Sequence, residues 1–212
     1  MPFTVFIVDD DAGVLKALSR RLSKRGYDVL AFDSSEKFLK EHDPQVPGCL
    51  VLDLSLPGID GLQLQQALTA GERHRPIIFI SGQGDIPSTV RAMKAGAIDF
   101  LAKPIDDAAL LEAIAKAQER DTEDRQASAE IHMIQSRIAT LTPREREVLP
   151  HVLAGRLNKQ IAGDLGTVVQ TVKVHRRRMM EKLGVRTLLE LSQLMQRVDP
   201  AQVVARRDPP PH

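Results

Sequence analysis

Cysteine is nearly absent from the 212 residues: Cys49 stands alone, so no disulfide can form within the chain. Its place in an apolar run predicts a buried thiol, which fits a reducing compartment. Long apolar stretches are missing as well. None approaches the roughly 18 to 20 residues of a membrane-spanning helix. The start, Met1-Pro2-Phe3-Thr4, lacks the basic-then-apolar order of a secretion signal. These absences predict a cytoplasmic protein with no membrane partner. Net charge is small too, +1, in an ordinary composition of 42% hydrophobic and 27% charged residues. That composition supports a packed core.

The small net charge conceals a division. Residues 1–118 hold 13 basic and 16 acidic side chains, residues 119–140 hold 3 and 5, residues 141–198 hold 11 and 5, and residues 199–212 hold two of each. An acidic front and a basic back predict two domains with different partners, the basic one suited to nucleic acid.

The front half alternates between two periodicities. Strand-like runs at 3–8, 27–32, 49–53, 76–80 and 97–101 are separated by helical patterns at 12–24, 34–41, 61–70, 87–95 and 106–118. Ser34 or Ser35 is placed to cap the second helix. A βα unit repeated in this way predicts an α/β fold, a doubly wound five-stranded parallel (βα)5 sheet with helices on both faces. In Cys49-Leu50-Val51-Leu52-Asp53 an unalternating apolar run ends in one acid. Such a run reads as a strand covered on both faces, its acid at the carboxyl end, where open α/β sheets place their crevice.

Other polar residues gather at the same rim: Asp9, Asp10 and Asp11 after the first strand, Ser81 after the fourth, Lys103 after the fifth. Neighbouring carboxylates repel one another unless a cation neutralises them. Oxygen ligands with open water positions suit Mg²⁺. A carboxylate is also a competent phosphoryl nucleophile, given cations and donors for the charge on the transferring group.

Val8-Asp9-Asp10, Asp53, Ser81 and Lys103-Pro104, in that order and spacing, resemble the receiver domains of two-component response regulators over residues 2–120. The resemblance implies that Asp53 accepts a phosphoryl group from a sensor histidine kinase. It implies that Asp10 and Asp53 bind Mg²⁺ directly, Ser55 through its backbone carbonyl and Asp9 through water. Ser81 would donate to the phosphoryl oxygens and Lys103 would pair with them, with a cis peptide before Pro104. Phe100 occupies the place of the family's switch aromatic, without the hydroxyl of a tyrosine; plain packing of the fifth strand is the other reading. The receiver would span 2–118.

Residues 119–138 form a connector free of Gly and Pro, either a helix prolonging the one before it or a disordered tether. Helix is the expectation. Beyond it, Leu141-Thr142-Pro143-Arg144-Glu145 combines a hydroxyl cap, a proline at the first helical position and an early glutamate. That helix runs to Ala154, although Pro150 within it is unfavourable. A short helix capped by Asn158 stops at Gly166, a longer one covers 170–183 and ends at Gly184, and a fourth covers 187–197. Two helices joined by a tight turn, the second rich in Lys and Arg, describe a helix-turn-helix in a small all-α four-helix DNA-binding domain.

Leu141–Leu149, Asn158–Ala162 and Thr171–Arg176 resemble the DNA-binding domain of the NarL/FixJ (LuxR-type) response regulators, over residues 136–198. The resemblance implies that Lys173, Val174 and Arg177 face the major groove of double-stranded DNA, and that Lys159, Thr171, His175 and Arg178 hold phosphates. Lys173 and Arg177, four apart, share a helix face. Val172, Met179, Met180 and Leu183 should be core. One departure is Val168, where the family has a capping Ser. The loss should cost about 1 kcal/mol unless Thr167 or water substitutes. The domain would span 139–198, with 199–212 a disordered tail.

The resulting expectation is a phosphorylation-activated transcription regulator, a homodimer when phosphorylated. Two alternatives stand beside it. One is a DNA-binding regulator indifferent to phosphate. The other is an aspartate-nucleophile phosphatase, disfavoured because Ser55 stands where such enzymes carry a second acid.

Overall fold

A computed structural model describes residues 3–70, 75–82 and 86–198. The expected tail at 199–212 lies outside the described residues. The chain divides into two compact units, 1–125 and 126–212.

In the first unit, strands β1 (Thr4–Val8), β2 (Asp28–Phe32), β3 (Gly48–Asp53), β4 (Ile77–Ser81) and β5 (Asp99–Ala102) alternate with helices α1 (Ala12–Ser23), α2 (Ser35–Glu41), α3 (Gly61–Thr69) and α4 (Ile86–Lys94). Helix α5 (Asp107–Ala139) follows. The strands form one parallel sheet in the order β2-β1-β3-β4-β5. Side chains of a strand point alternately to its two faces, and every residue of β1, β3 and β4 is buried. The even-numbered residues of β1 and β3 pack with Phe38, Leu64 and Phe79. The odd-numbered ones pack with Leu18, Leu22, Leu110 and Ile114. Burying both faces explains why the strands read as unbroken apolar runs.

Several helix ends follow simple capping chemistry. The Asp11 carboxylate accepts the N–H groups of Gly13 and Val14 and starts α1. Asp60 and Gln63 form a reciprocal capping box on α3. Ser34 precedes α2 as expected but makes no capping bond; its hydroxyl donates to Asp33 at 3.3 Å.

The second unit holds the end of α5 and the helices α6 (Pro143–Leu153), α7 (Asn158–Asp164), α8 (Val169–Leu183) and α9 (Leu188–Gln196). Val148, Val152, Ile161, Val172, Met179, Leu183 and Leu191 make its core, with Met180 at the margin. The Thr142–Glu145 capping box forms as the sequence predicts, and α6 runs through Pro150. At the next helix starts one expectation fails and one is met. Asn158 does not cap α7: Leu157 precedes the helix, and Gln160 accepts its N–H at 2.9 Å. Asn158 instead accepts from Arg176 of α8 at 3.2 Å. No side chain caps α8, so Thr167 does not stand in for the missing serine. Gly184 closes α8 in the left-handed region, at φ 71°.

Candidate functional site

Strand register builds the rim of the sheet. Val8 lies beside Leu52, so Asp9 follows β1 next to Asp53 at the end of β3. Asp53 itself lies beside Ile80, and Ser81 beside Ala102, which puts Lys103 one residue past the pair. Residues separated by up to 94 positions thus converge. Lys103 Nζ lies 2.7 Å from Asp9 Oδ2 and 3.3 Å from Asp53 Oδ1. Asp9, Asp10 and Asp53 each offer an oxygen within 4.8 Å of the others. The Lys103 N–H also donates to the Ser81 carbonyl at 2.7 Å, and the Lys103–Pro104 peptide is cis.

Electrostatics in this notch are unbalanced. Asp9 and Asp53 are buried and Asp10 is exposed. Burial raises the Asp53 pKa above the ordinary carboxylate range; Lys103 opposes that, while Asp9 and Asp10 reinforce it. Burial would lower Lys103, yet its bonds to Asp9 and Asp53 hold it above its usual value. Three carboxylates against one ammonium leave an anionic, oxygen-only donor set, which fits a hard divalent cation such as Mg²⁺. Ser81 adds a second sign of incompleteness. It is buried, and among the described residues its hydroxyl has no hydrogen-bond partner. Buried hydroxyls are seldom left so. Ser55, two residues past Asp53, is exposed.

Around the sheet, Asp11 and Phe100, both singled out in the sequence, are joined by Gly61, Asp121 and Arg125, which were not. Asp11 adds no carboxylate to the notch because it caps α1. Gly61 packs against the end of β3: a Cβ there would sit 2.7 Å from the Asp53 carbonyl oxygen and 3.0 Å from Phe79. Phe100 is half-buried and stacks on Phe79 with centroids 6.4 Å apart. At the opposite end of β3, buried Asp121 of α5 accepts the Gly48 N–H at 3.3 Å and Arg125 Nε at 2.8 Å. Arg125 in turn donates to the carbonyls of Gln45 and Val46. Pairs this distant leave no periodic trace in a sequence.

In the second unit, α8 buries Val172, Met179 and Leu183 and exposes Lys173, Arg177 and Arg178; Val174 is half-buried. Arg177 lies 3.7 Å from Glu181, one turn on. Lys159 is exposed on α7. Thr171 and His175 line a cavity of about 150 Å³ with Arg144 and Thr167. His175 Nδ1 is buried there, without a partner among the described residues. One contact of a helix-start residue was not foreseen and ties α6 to α8. Glu145, 2% exposed, accepts the Thr142 N–H at 2.9 Å and Lys182 Nζ at 2.7 Å. Burial raises its pKa, but Lys182 and Thr142 outweigh burial and hold it below the usual value.

Comparison with known proteins covers both units. Residues 5–115 match the response regulator receiver domain, and residues 139–195 match the luxR family of bacterial regulatory proteins. Nodulation protein W of Bradyrhizobium diazoefficiens is 45% identical over 187 residues, which is 88% of this chain and 82% of that protein. The response regulator StyR superposes with a TM-score of 0.79 at 46% identity, over 92% of this chain and 99% of that one. Full-length FixJ of B. japonicum gives 0.56 at 36% identity, over 92% and 96%. No described helix is long and apolar enough to cross a membrane. The chain belongs to the two-component response regulators with a luxR-family DNA-binding domain, and is a phosphorylation-dependent transcription regulator rather than an enzyme.

Proposed function

We propose that Asp53 is the phosphoacceptor and that the notch around it is the control site. The observation that carries this is the bridge from Lys103 to both Asp9 and Asp53, beside the unpartnered Ser81 hydroxyl. An Asp53 oxygen attacks phosphorus on the phosphohistidine of a sensor kinase. The O–P bond forms, the P–N bond breaks, and the imidazole leaves with a proton. Lys103 and the Ser81 hydroxyl hold the phosphoryl oxygens. Asp9, Asp10, Asp53 and the Ser55 carbonyl would hold Mg²⁺, which supplies charge neutralisation for the transferring group. Drawing Ser81 toward the phosphoryl group frees room for Phe100 to repack.

The response is a homodimer. Helix α4 leaves Ile86 (79% exposed), Val90 and Met93 uncovered at i, i+4 and i+7, one face of a helix, suited to a second copy through α4, β5 and α5. Paired α8 helices then enter successive major grooves of double-stranded DNA, half-sites about one turn apart. Lys173, Val174 and Arg177 meet base edges, and Lys159, Thr171, His175 and Arg178 meet phosphates. The protein works in the cytoplasm, with the kinase and the DNA.

Labelling with acetyl [³²P]phosphate and Mg²⁺ tests the assignment. Wild type incorporates an acid-stable, hydroxylamine-labile label and Asp53→Asn does not; full labelling of the variant overturns the acceptor. Operator affinity unchanged by phosphorylation would establish a regulator indifferent to phosphate.

A further inference from the structure

We propose that Gln170, in the first turn of α8, reads an adenine at one edge of each half-site; the inference rests on the DNA-binding reading above. Helical spacing sets the argument. Gln170, Lys173, Val174 and Arg177 stand at i, i+3, i+4 and i+7, so they form one stripe. The stripe lies opposite the face that buries Val172, Met179 and Leu183. Gln170 is exposed, and among the described residues no hydrogen bond engages its amide, whereas Arg176, on the flank, is tied to Asn158. The stripe has a polarity. Arg177 pairs with Glu181, and a carboxylate at that end disfavours close approach to phosphates. The N-terminal end of α8 therefore leads into the groove, with Arg177 the last residue of the stripe, as in helix-turn-helix proteins generally.

Distance fixes the register. At about 1.5 Å of rise per residue, Gln170 stands roughly 10 Å before Arg177 along the axis. That is about three base-pair steps of about 3.4 Å. Because α8 is inclined to the duplex, that is an upper bound, and Gln170 reaches a base pair beyond the one met by Lys173, on the side away from Arg177. Its chemistry selects the base. A glutamine amide offers one acceptor and one donor edge, matching adenine N6–H and N7; guanine presents two acceptors there and fits Arg or Lys instead. The residues just before Gln170 are exposed: Val168, uncapped and 66% exposed, and Val169. Val172, two residues on, belongs to the core, so Gln170 lies on the solvent side of this turn.

The test is selection from random duplexes by the full chain, treated with Mg²⁺ and beryllium fluoride, followed by affinity measurements on the selected duplex. Wild type should select an adenine within about three base pairs of the position set by Arg177, beyond the position set by Lys173. Gln170→Ala, at an exposed site where alanine favours helix, should lose preference at that position alone, with affinity for the duplex lower by about ten-fold. Its salt slope should not change, since Gln170 neutralises no phosphate. Replacing that adenine by 7-deaza-adenine, which lacks N7, should weaken wild type and leave Gln170→Ala unaffected. Gln170→Arg should shift the selected base to guanine. An adenine preference that persists in Gln170→Ala, or indifference of wild type to the 7-deaza base, overturns the inference and leaves the DNA-binding reading standing. Failure of wild type to select any sequence overturns both.

Discussion

Asp53 carries a conflict that its partners only partly relieve. Burial and the charges of Asp9 and Asp10 oppose its ionisation, and Lys103 favours it. A carboxyl whose pKa is raised on folding binds its proton more tightly in the folded state. The charged form therefore subtracts from stability, and the penalty disappears as pH falls below the folded pKa. Asp53→Asn should accordingly raise the melting temperature of the first unit at neutral pH in EDTA, by calorimetry. Mg²⁺ should raise wild type and raise the variant less. Glu145 has the opposite sign. Its pKa is depressed on folding, so its contribution is full above the usual carboxylate value and is lost as pH falls through the folded one. At pH 7 Glu145→Gln should destabilise the second unit by about 1–3 kcal/mol. The difference from wild type should shrink on acidification, as followed by urea unfolding at several pH values. These two acids also mark what was legible. Asp53 was readable because an acid ending an apolar strand is a local signal. Glu145 was read only as a helix-start residue, because its partner Lys182 lies 37 positions away. Cys49 was readable as a buried thiol, and burial pushes its pKa to about 12.

At the scale of elements, period and punctuation gave the order of strands and helices, since both report local backbone preference. Helix starts were less legible. Asn158 and Ser34 have the chemistry of caps, but a cap depends on the dihedral angles of the preceding loop and on competing partners. Asn158 is engaged by Arg176 and Ser34 by Asp33. Helix α6 and helix α8 each retain a local fault. Pro150 lies inside α6, exposed, and denies it one backbone bond. Pro150→Ala should stabilise the second unit by about 2 kcal/mol, the helical gain less the freedom returned to the unfolded chain. Val168→Ser should restore a cap to α8 and add about 1 kcal/mol. Either change reads out as a higher denaturation midpoint with an unchanged denaturant slope.

For the molecule as a whole, charge is the organising quantity. The excess of 11 basic over 5 acidic residues in 141–198 belongs to the unit that carries α8. DNA affinity should fall steeply with salt, and Lys159→Ala and Arg178→Ala should each flatten the log–log slope by about 0.9, one phosphate apiece. Fluorescence anisotropy on an operator duplex from 50 to 300 mM salt, ranges on the order used for counterion release, measures it. What composition does not reveal is where one cooperative body ends. The shift from acidic to basic residues drew attention to 119–140 as a connector, yet Asp121 and Arg125 are fastened to Gly48, Gln45 and Val46. Gly48 is the first residue of the strand that ends in Asp53. Anyone cutting the gene after codon 118 to obtain the sensory half would therefore remove its rear latch. A stop placed just beyond codon 125 keeps the latch, and with it the footing of the strand that receives the signal.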